Sequence, residues 1–343
     1  MAVADELRAR GVEVSFLGTR ERIEAELVPR AGYEIDFLAV SGLDRSNPLR
    51  SAAAVARAAP AVRAARRAIR ARGAEAVLGG GGFVSAPAGV AAISMRVPLV
   101  LTEADSHLGL ANRLLASWAR RVCLAFPISA REGERYLVTG RPVPPAVMNG
   151  DRRRGRRRFG IGSAARCLLV VGGSQGARSI NRCAVAAFAE RDGRDFHVLH
   201  LAGRRDHDEL AVRLEEAPAR DRYTLLPYEP DLGDSLAASD LVLARAGGSI
   251  FEFAAAGRPA ILVPYPYATA DHQSANARWM SEAGAAVVIE DTALDADRLL
   301  AEVAALLGDR SRLEAMAAAS RGLARPDAAA RVADEVLSAA GSR

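Results

Sequence analysis

Lysine is missing from this chain: its 46 basic residues are all arginine. Nucleoside triphosphate hydrolysis of the P-loop kind, which needs a lysine on the phosphates, is therefore excluded. Cysteine is scarce, and the three present (Cys123, Cys167 and Cys183) stand at no metal-ligand spacing. An odd count without a secretory signal fits a reducing cytoplasm. Arginine or glycine interrupts every apolar run well before the roughly 18 residues of a membrane span. The opening MAVADELRAR is charged and amphipathic, the wrong pattern for a signal peptide. Aromatics make up only 5% of the chain, and none interrupts RRRGRRR (152–158). That run lacks the stacking readers of a nucleic-acid site, and no nucleic-acid partner is expected.

What is present is a 343-residue chain, half of it apolar. That length is enough for two domains, each burying its own core. A net charge of +5 favours anionic partners such as acidic phospholipid or phosphorylated substrates. The pattern predicts an α/β chain of two Rossmann-like, doubly wound domains. They are expected over 1–145 and 166–325, with an arginine-rich, solvated linker at 146–165 and a last helix over 326–343 packing on the first domain.

The most informative stretch runs from Asp240 to Asn276. DLVLARAG (240–247) reads as a buried parallel strand ending in Gly247 and Gly248, after which a helix starts at Ser249. Ser249-Ile250-Phe251-Glu252 has the S-x-x-E form of a capping box. Its functional alternative is a phosphate on the amides of Gly247, Gly248 and Ser249, with Glu252 accepting from a sugar diol. PAILVPYP (259–266) is a second buried strand, and Asp271-His272-Gln273-Ser274-Ala275-Asn276 opens the next helix. In open α/β sheets ligands sit at the carboxyl ends of such strands, where these loops converge.

CLLVVGGSQGARSIN (167–181) has the form of a phosphate-cradling turn. Glycines expose amides, Ser174 adds a hydroxyl, and a helix begins after Gln175 and Gly176. In the first half, AVLGGGGFVSAPAG (76–89) runs a strand into Gly79, Gly80, Gly81 and Gly82, with a helix start at Ser85. Its spacing misses the dinucleotide fingerprint, so no nicotinamide cofactor is expected. Residues 47–72 read as two helices broken at Pro60, with an arginine-rich solvated face that also suits anionic lipid. The chain opens inside a first helix, whereas a doubly wound domain starts with a strand that ends up central in its sheet. The expectation is a mis-assigned start.

R-A-G-G-S-x-x-E, the VPYP strand, DHQ-x-x-N and GGSQGAR resemble the MurG family of glycosyltransferases, and the resemblance extends over essentially the whole chain from Ala2. It implies a GT-B fold with its two domains facing across a cleft. It also implies inverting transfer of N-acetylglucosamine from its UDP donor to a polyprenyl-pyrophosphate-linked muramyl-peptide, without a metal or other cofactor, at an anionic membrane face. By this resemblance Ser174, Gln175, Gly176, Arg245, Gly247, Gly248 and Ser249 meet the donor. Glu252 holds the ribose, the backbone at Glu229 holds the uracil, His272 or Gln273 holds the sugar, and Asn276 closes the motif. Gly80, Gly81 and Gly82 face the acceptor. Where the family has His-Glu-Gln-Asn, this chain keeps Glu103 and has Asp105 for Asn; Arg141 substitutes for a family arginine. The family's candidate base, a histidine, falls before Met1, which leaves Glu103 and Asp105 as candidates. A different acceptor, a non-catalytic UDP-sugar binder and a UDP-sugar epimerase remain open at this level.

Overall fold

A computed structural model describes residues 1–40, 48–172, 177–191, 193, 195–230, 232–268 and 271–341. The chain divides into two compact units, Met1–Pro142 with Asp327–Arg343, and Val143–Pro326.

The first unit contains α1 (Ala2–Ala9), β1 (Ser15–Gly18), α2 (Glu24–Arg30), β2 (Glu34–Phe37), α3 (Pro48–Ala71), β3 (Val77–Gly79), α4 (Gly82–Ser94), β4 (Leu99–Glu103), α5 (Leu110–Leu115), β5 (Arg121–Leu124) and β6 (Tyr136–Val138). Among the described residues its strands make two parallel sheets, β1-β2 and β3-β4-β5-β6, with no hydrogen-bonded ladder between β1 and β3. The expected helix pair around Pro60 is one helix, α3, with the proline inside it. Helix α4 starts at Gly82, three residues before the expected Ser85, because Gly81 and Gly82 take positive φ and turn the chain early.

The second unit contains α6 (Pro145–Met148), α7 (Arg152–Arg158), β7 (Arg166–Val171), α8 (Arg178–Phe188), β8 (Phe196–Leu201), α9 (His207–Glu215), β9 (Tyr223–Leu226), α10 (Leu232–Ala238), β10 (Leu241–Ala244), α11 (Ile250–Ala255), β11 (Ala260–Leu262), α12 (His272–Glu282), β12 (Ala286–Val288), α13 (Ala296–Gly308) and α14 (Arg310–Leu323). The strand order β12-β11-β10-β7-β8-β9, parallel throughout, is that of a doubly wound nucleotide-binding sheet. Strands β7 and β10 are almost wholly buried apolar runs, as strands covered on both faces usually are, and β8 is buried along its whole length with two histidines in it. The chain order reverses between β7 and β10, so their carboxyl ends flank the crevice where ligands of such sheets bind.

The last helix, α15 (Ala328–Ala340), belongs to the first unit. Its Val332, Ala333 and Val336 share a core with Val3, Leu7, Val100 and Cys123.

The arginine run expected as a solvated linker is instead helix α7 of the second unit. Asp151 caps it by accepting from the Arg154 amide. Gly155 lets it lie directly on α10: a Cβ there would sit 2.3 Å from the Asp234 carbonyl oxygen. Its arginines pair inward, Arg152 and Arg156 with Asp240, Arg154 with both oxygens of Asp234, and Arg158 with Glu229. Five of the six arginines are solvent-exposed, as expected, and Arg156 is buried; the pairing is not legible because its carboxylates lie about 70 to 90 residues away in sequence.

Candidate active site

A cavity of about 400 Å³ opens at the carboxyl ends of β7 and β8 in the second unit. Val171 and Gly203 line one side, Tyr228 and Glu229 another, and Ser249 and Glu252 a third. Each group sits just past the end of a strand or in the first turn of a helix, where backbone amides are left without helical partners.

Gly172 ends β7 and donates its amide to the Leu201 carbonyl at 2.8 Å. A side chain cannot be added here, because a Cβ would lie 2.8 Å from both the Ala202 carbonyl oxygen and Asn181 Oδ1. The turn that follows, with Ser174, Gln175 and Gly176, lies outside the described residues.

After β10, Gly247, Gly248 and Ser249 lead into α11, one residue past the expected start. The capping box does not form. Ser249 has helical dihedrals and makes no side-chain cap bond, which leaves its hydroxyl on the cavity wall beside the Glu252 side chain. Among the described residues, the side-chain caps that form belong to aspartates, at Asp151, Asp295 and Asp309. Glu229 is buried, and its Oε2 accepts from Arg158 Nη2 at 2.5 Å. This contact fixes the β9–α10 loop from the side of α7.

Three residues expected to touch substrate are occupied as framework. Arg245 Nη1 donates to the Val263 and Pro264 carbonyls and to Asp291 Oδ1 at 2.6 Å, while Nη2 donates to Ser179 Oγ at 2.7 Å. It thus ties the ends of β10 and β11 to the start of α8. Asn276 is buried and donates to the Ala246 carbonyl at 2.9 Å, holding the Gly247–Gly248 turn from beneath. Gln273 Oε1 accepts from the Tyr265 amide at 2.9 Å. His272 opens α12 next to it and is half-buried. A motif read along the sequence does not distinguish a side chain that meets the ligand from one that holds the loop that does.

In the first unit, Gly80, Gly81 and Gly82 form the turn from β3 into α4, and nothing stands within 4 Å of a Cβ placed on Gly82. Glu103 ends β4 and is buried. Its Oε1 accepts from the Ala104 and Asp105 amides, and its Oε2 from the Gly109 amide at 2.8 Å and Asn112 Nδ2 at 3.0 Å. Four donors converge on this carboxylate, so Glu103 is a loop fastener and not the base considered from the sequence. Asp105 is half-exposed at the same strand end. Its carboxylate has no bonding partner among the described residues. Arg141 is half-exposed beyond β6. Cys123 and Cys167 supply no nucleophile, because burial pushes both thiols up to about 12.

Residues 1–124 match the glycosyltransferase family 28 N-terminal domain, and residues 167–332 match its C-terminal domain. The chain belongs to glycosyltransferase family 28, in its MurG branch. A Methylococcus capsulatus protein named UDP-N-acetylglucosamine–N-acetylmuramyl-(pentapeptide) pyrophosphoryl-undecaprenol N-acetylglucosamine transferase is 40% identical over 343 residues, covering 100% of this chain and 95% of that one. The protein of the same name from Acidithiobacillus ferrooxidans is 42% identical, covering 99% and 94%. The crystal structure of Acinetobacter baumannii MurG aligns with a TM-score of 0.78 at 28% identity, over 98% of this chain and 94% of that chain. The chain is accordingly a hexosyltransferase of the GT-B class.

The sequence reading missed two sets of residues. One is the polar group buried under Gly172 (Asn181, His200 and Asp206), whose signal was a histidine inside an apolar strand. The other is an exposed apolar set on the first unit, Val90, Leu114 and Trp118, the last two being 59% and 63% exposed. Val90 is on α4 and Leu114 on α5, two helices that pack at Gly89 against Leu115, and Trp118 follows α5; Arg113 and Arg120 are exposed in the same stretch.

Proposed function

We infer that this chain transfers N-acetylglucosamine from UDP-N-acetylglucosamine to the muramyl 4-hydroxyl of undecaprenyl-pyrophosphoryl-N-acetylmuramyl-pentapeptide. This is the step from lipid I to lipid II in peptidoglycan synthesis. The acceptor oxygen attacks C1 of the sugar from the face opposite the leaving group. The C1–O bond to UDP breaks with its electron pair leaving on the diphosphate, and the configuration at C1 inverts.

The observation that best supports the donor assignment is the cavity wall itself, with Ser249 and Glu252 on the first turn of α11 facing the Tyr228–Glu229 loop. In this reading Glu252 accepts both hydroxyls of the ribose, and the backbone near Glu229 meets the uracil. The amides of Gly248 and Ser249, together with the turn before α8, meet the diphosphate. Preorganised donors of this kind stabilise leaving-group charge without having to reorganise during the reaction. His272 and Gln273 lie on the sugar side, and Gln273 reaches it with the amide nitrogen left over from its bond to Tyr265.

Acceptor binding is assigned to the first unit, at the Gly80–Gly82 turn and the end of β4. Asp105 is the carboxylate there that takes the acceptor proton. A polyprenyl acceptor resides in a bilayer, and the Val90, Leu114 and Trp118 set with its arginines suits a surface resting on anionic phospholipid without crossing it.

The deciding experiment supplies UDP-[14C]N-acetylglucosamine and a lipid-linked muramyl-pentapeptide to the purified chain and follows label into the lipid fraction. Label remaining in the donor, with the acceptor in excess, would refute the transfer. Glu252→Ala should weaken UDP binding by about 1 to 3 kcal/mol, the cost of a lost charge-assisted hydrogen bond. Unchanged affinity would remove Glu252 from the ribose.

A further inference from the structure

His200 lies in β8, a strand buried along its whole length, and has 0% exposure. An imidazole is costly to bury unless both ring nitrogens are bonded, and here they are. Nδ1 lies 2.7 Å from Tyr223 Oη and Nε2 lies 3.0 Å from Asn181 Oδ1. The direction of each bond follows from the next one along. Asn181 Nδ2 donates to the Ala202 carbonyl at 2.8 Å and to Asp206 Oδ2 at 2.9 Å. That fixes the amide so that Oδ1 faces the ring. An amide oxygen only accepts, so Nε2 carries the hydrogen and Nδ1 accepts from the tyrosine hydroxyl. The result is a one-way chain of donors: Tyr223, His200, Asn181, Asp206.

The chain reaches the backbone next to the cavity-lining Val171, Leu201 and Gly203 at two points. Asn181 Oδ1 abuts Gly172, at the root of the glycine-rich turn, and Asn181 Nδ2 holds Ala202, next to the cavity-lining Gly203. Its far end is a buried carboxylate with two cations. Asp206 Oδ1 accepts from Arg205 Nε at 3.2 Å and pairs with Arg178 Nε at 3.6 Å. The Asp206 side chain is 3% exposed, whereas those of Arg178 and Arg205 are 52% and 60% exposed. Arg178 is the first residue of α8, directly beyond the glycine-rich turn, and Arg205 follows Gly203 by two residues. One carboxylate between two guanidiniums leaves a surplus positive charge at this rim.

We propose that Tyr223, His200, Asn181 and Asp206 form a positioning array that sets the Gly172 and Ala202 backbone and presents Arg178 and Arg205 to the diphosphate of the donor. None of the four buried residues touches substrate, and the two arginines do. The proposal rests on the donor site being in the second unit. Bidentate guanidinium–phosphate contacts are strong and directional, and a fixed carboxylate behind them reduces the ordering each arginine must undergo on binding.

The test is calorimetric titration of the full chain with UDP and, separately, with uridine, which carries the base and ribose but no phosphate. Arg178→Gln and Arg205→Gln are surface changes that leave the core intact. Each is expected to lower UDP affinity about tenfold and to leave uridine affinity unchanged. His200→Leu should lower UDP affinity and raise the KM for UDP-N-acetylglucosamine more than it lowers kcat. His200→Gln, which keeps a donor and an acceptor, should restore part of the loss. UDP affinity unchanged in both arginine variants would overturn the array, as would equal losses for UDP and uridine in His200→Leu with no recovery in His200→Gln. Failure of the unaltered chain to bind UDP would overturn the donor assignment itself.

Discussion

Two carboxylates stand two residues apart at the end of β4, and their surroundings assign them opposite work. Glu103 is buried and receives four N–H donors, while Asp105 is half-exposed with its oxygens free of partners among the described residues. Glu103→Gln replaces an acceptor-only oxygen with an NH₂ group facing donors. Urea unfolding should register a loss of about 1 to 3 kcal/mol for this change. Asp105→Asn should leave stability within about 0.5 kcal/mol, as surface changes do, and lower kcat by about a hundredfold or more, the contribution of a general base. Full kcat in Asp105→Asn would exclude it as the base.

His200 carries a pH signature at the same scale. Burial lowers its pKa to about 3 from 6.5, with the nearby Asp206 charge opposing in part. A folded-state pKa below the unfolded one means that above about pH 6.5 both states are neutral and nothing is lost. Below that the unfolded chain takes up a proton that the folded chain refuses. Stability should fall by up to about 1.4 kcal/mol per pH unit from pH 6.5 toward pH 3. His200→Gln should remove that slope, read as the difference between variant and parent in urea midpoints at pH 7, 6 and 5. Parallel curves would mean that the ring titrates normally.

Helix α7 shows at the scale of an element how local pattern and tertiary contact divide the work. Six arginines and a glycine in seven residues predict a solvated run, and the one carboxylate beside it in sequence, Asp151, caps the helix. Folding supplies Asp234, Asp240 and Glu229, and the paired guanidinium of Arg154 holds the Asp234 carboxyl below its ordinary range. Gly155 is the tight point. Replacing it with alanine gains about 1 kcal/mol of helix propensity. The new Cβ would meet a backbone carbonyl oxygen at 2.3 Å, which cannot swing aside as a side chain would. Overpacking costs about 1 to 3 kcal/mol, so Gly155→Ala should be net destabilising. A raised urea midpoint for the variant would show that α7 does not depend on this contact.

At the scale of the whole molecule, the proposed contact with anionic phospholipid is tested at the surface of the first unit. Val90, Leu114 and Trp118 are large apolar side chains left in water beside Arg113 and Arg120. Burying one such side chain is worth about 1.5 to 3 kcal/mol. Leu114→Ser with Trp118→Ser should therefore reduce co-sedimentation with vesicles containing phosphatidylglycerol by tenfold or more, while donor hydrolysis and UDP binding stay unchanged. Raising salt should weaken the parent's binding as well, because the arginine share is screened within about 10 Å at 0.1 M. Unchanged partition of the double variant would place the membrane contact elsewhere.

Much was legible from sequence alone, for reasons of local chemistry. Apolar runs ending in glycine located β7 and β10, because a strand buried on both faces is largely apolar. The pairing of GGSQGAR with R-A-G-G-S-x-x-E and DHQ-x-x-N carried the family. The roles within the motifs were not legible. Arg245 and Asn276 read as ligands and Glu103 as a candidate base, and each is bonded within the framework, because only the fold brings Asp291, Ala246 and Asn112 to them. The same holds for His200, whose partners come from α8 and β9, and for the arginines of α7. Spacing along a chain determines which backbone turns form and which end of a sheet they occupy. Which side chains remain free to meet a substrate is decided by tertiary contacts, since a donor or acceptor already bonded inside the fold is no longer available to a ligand.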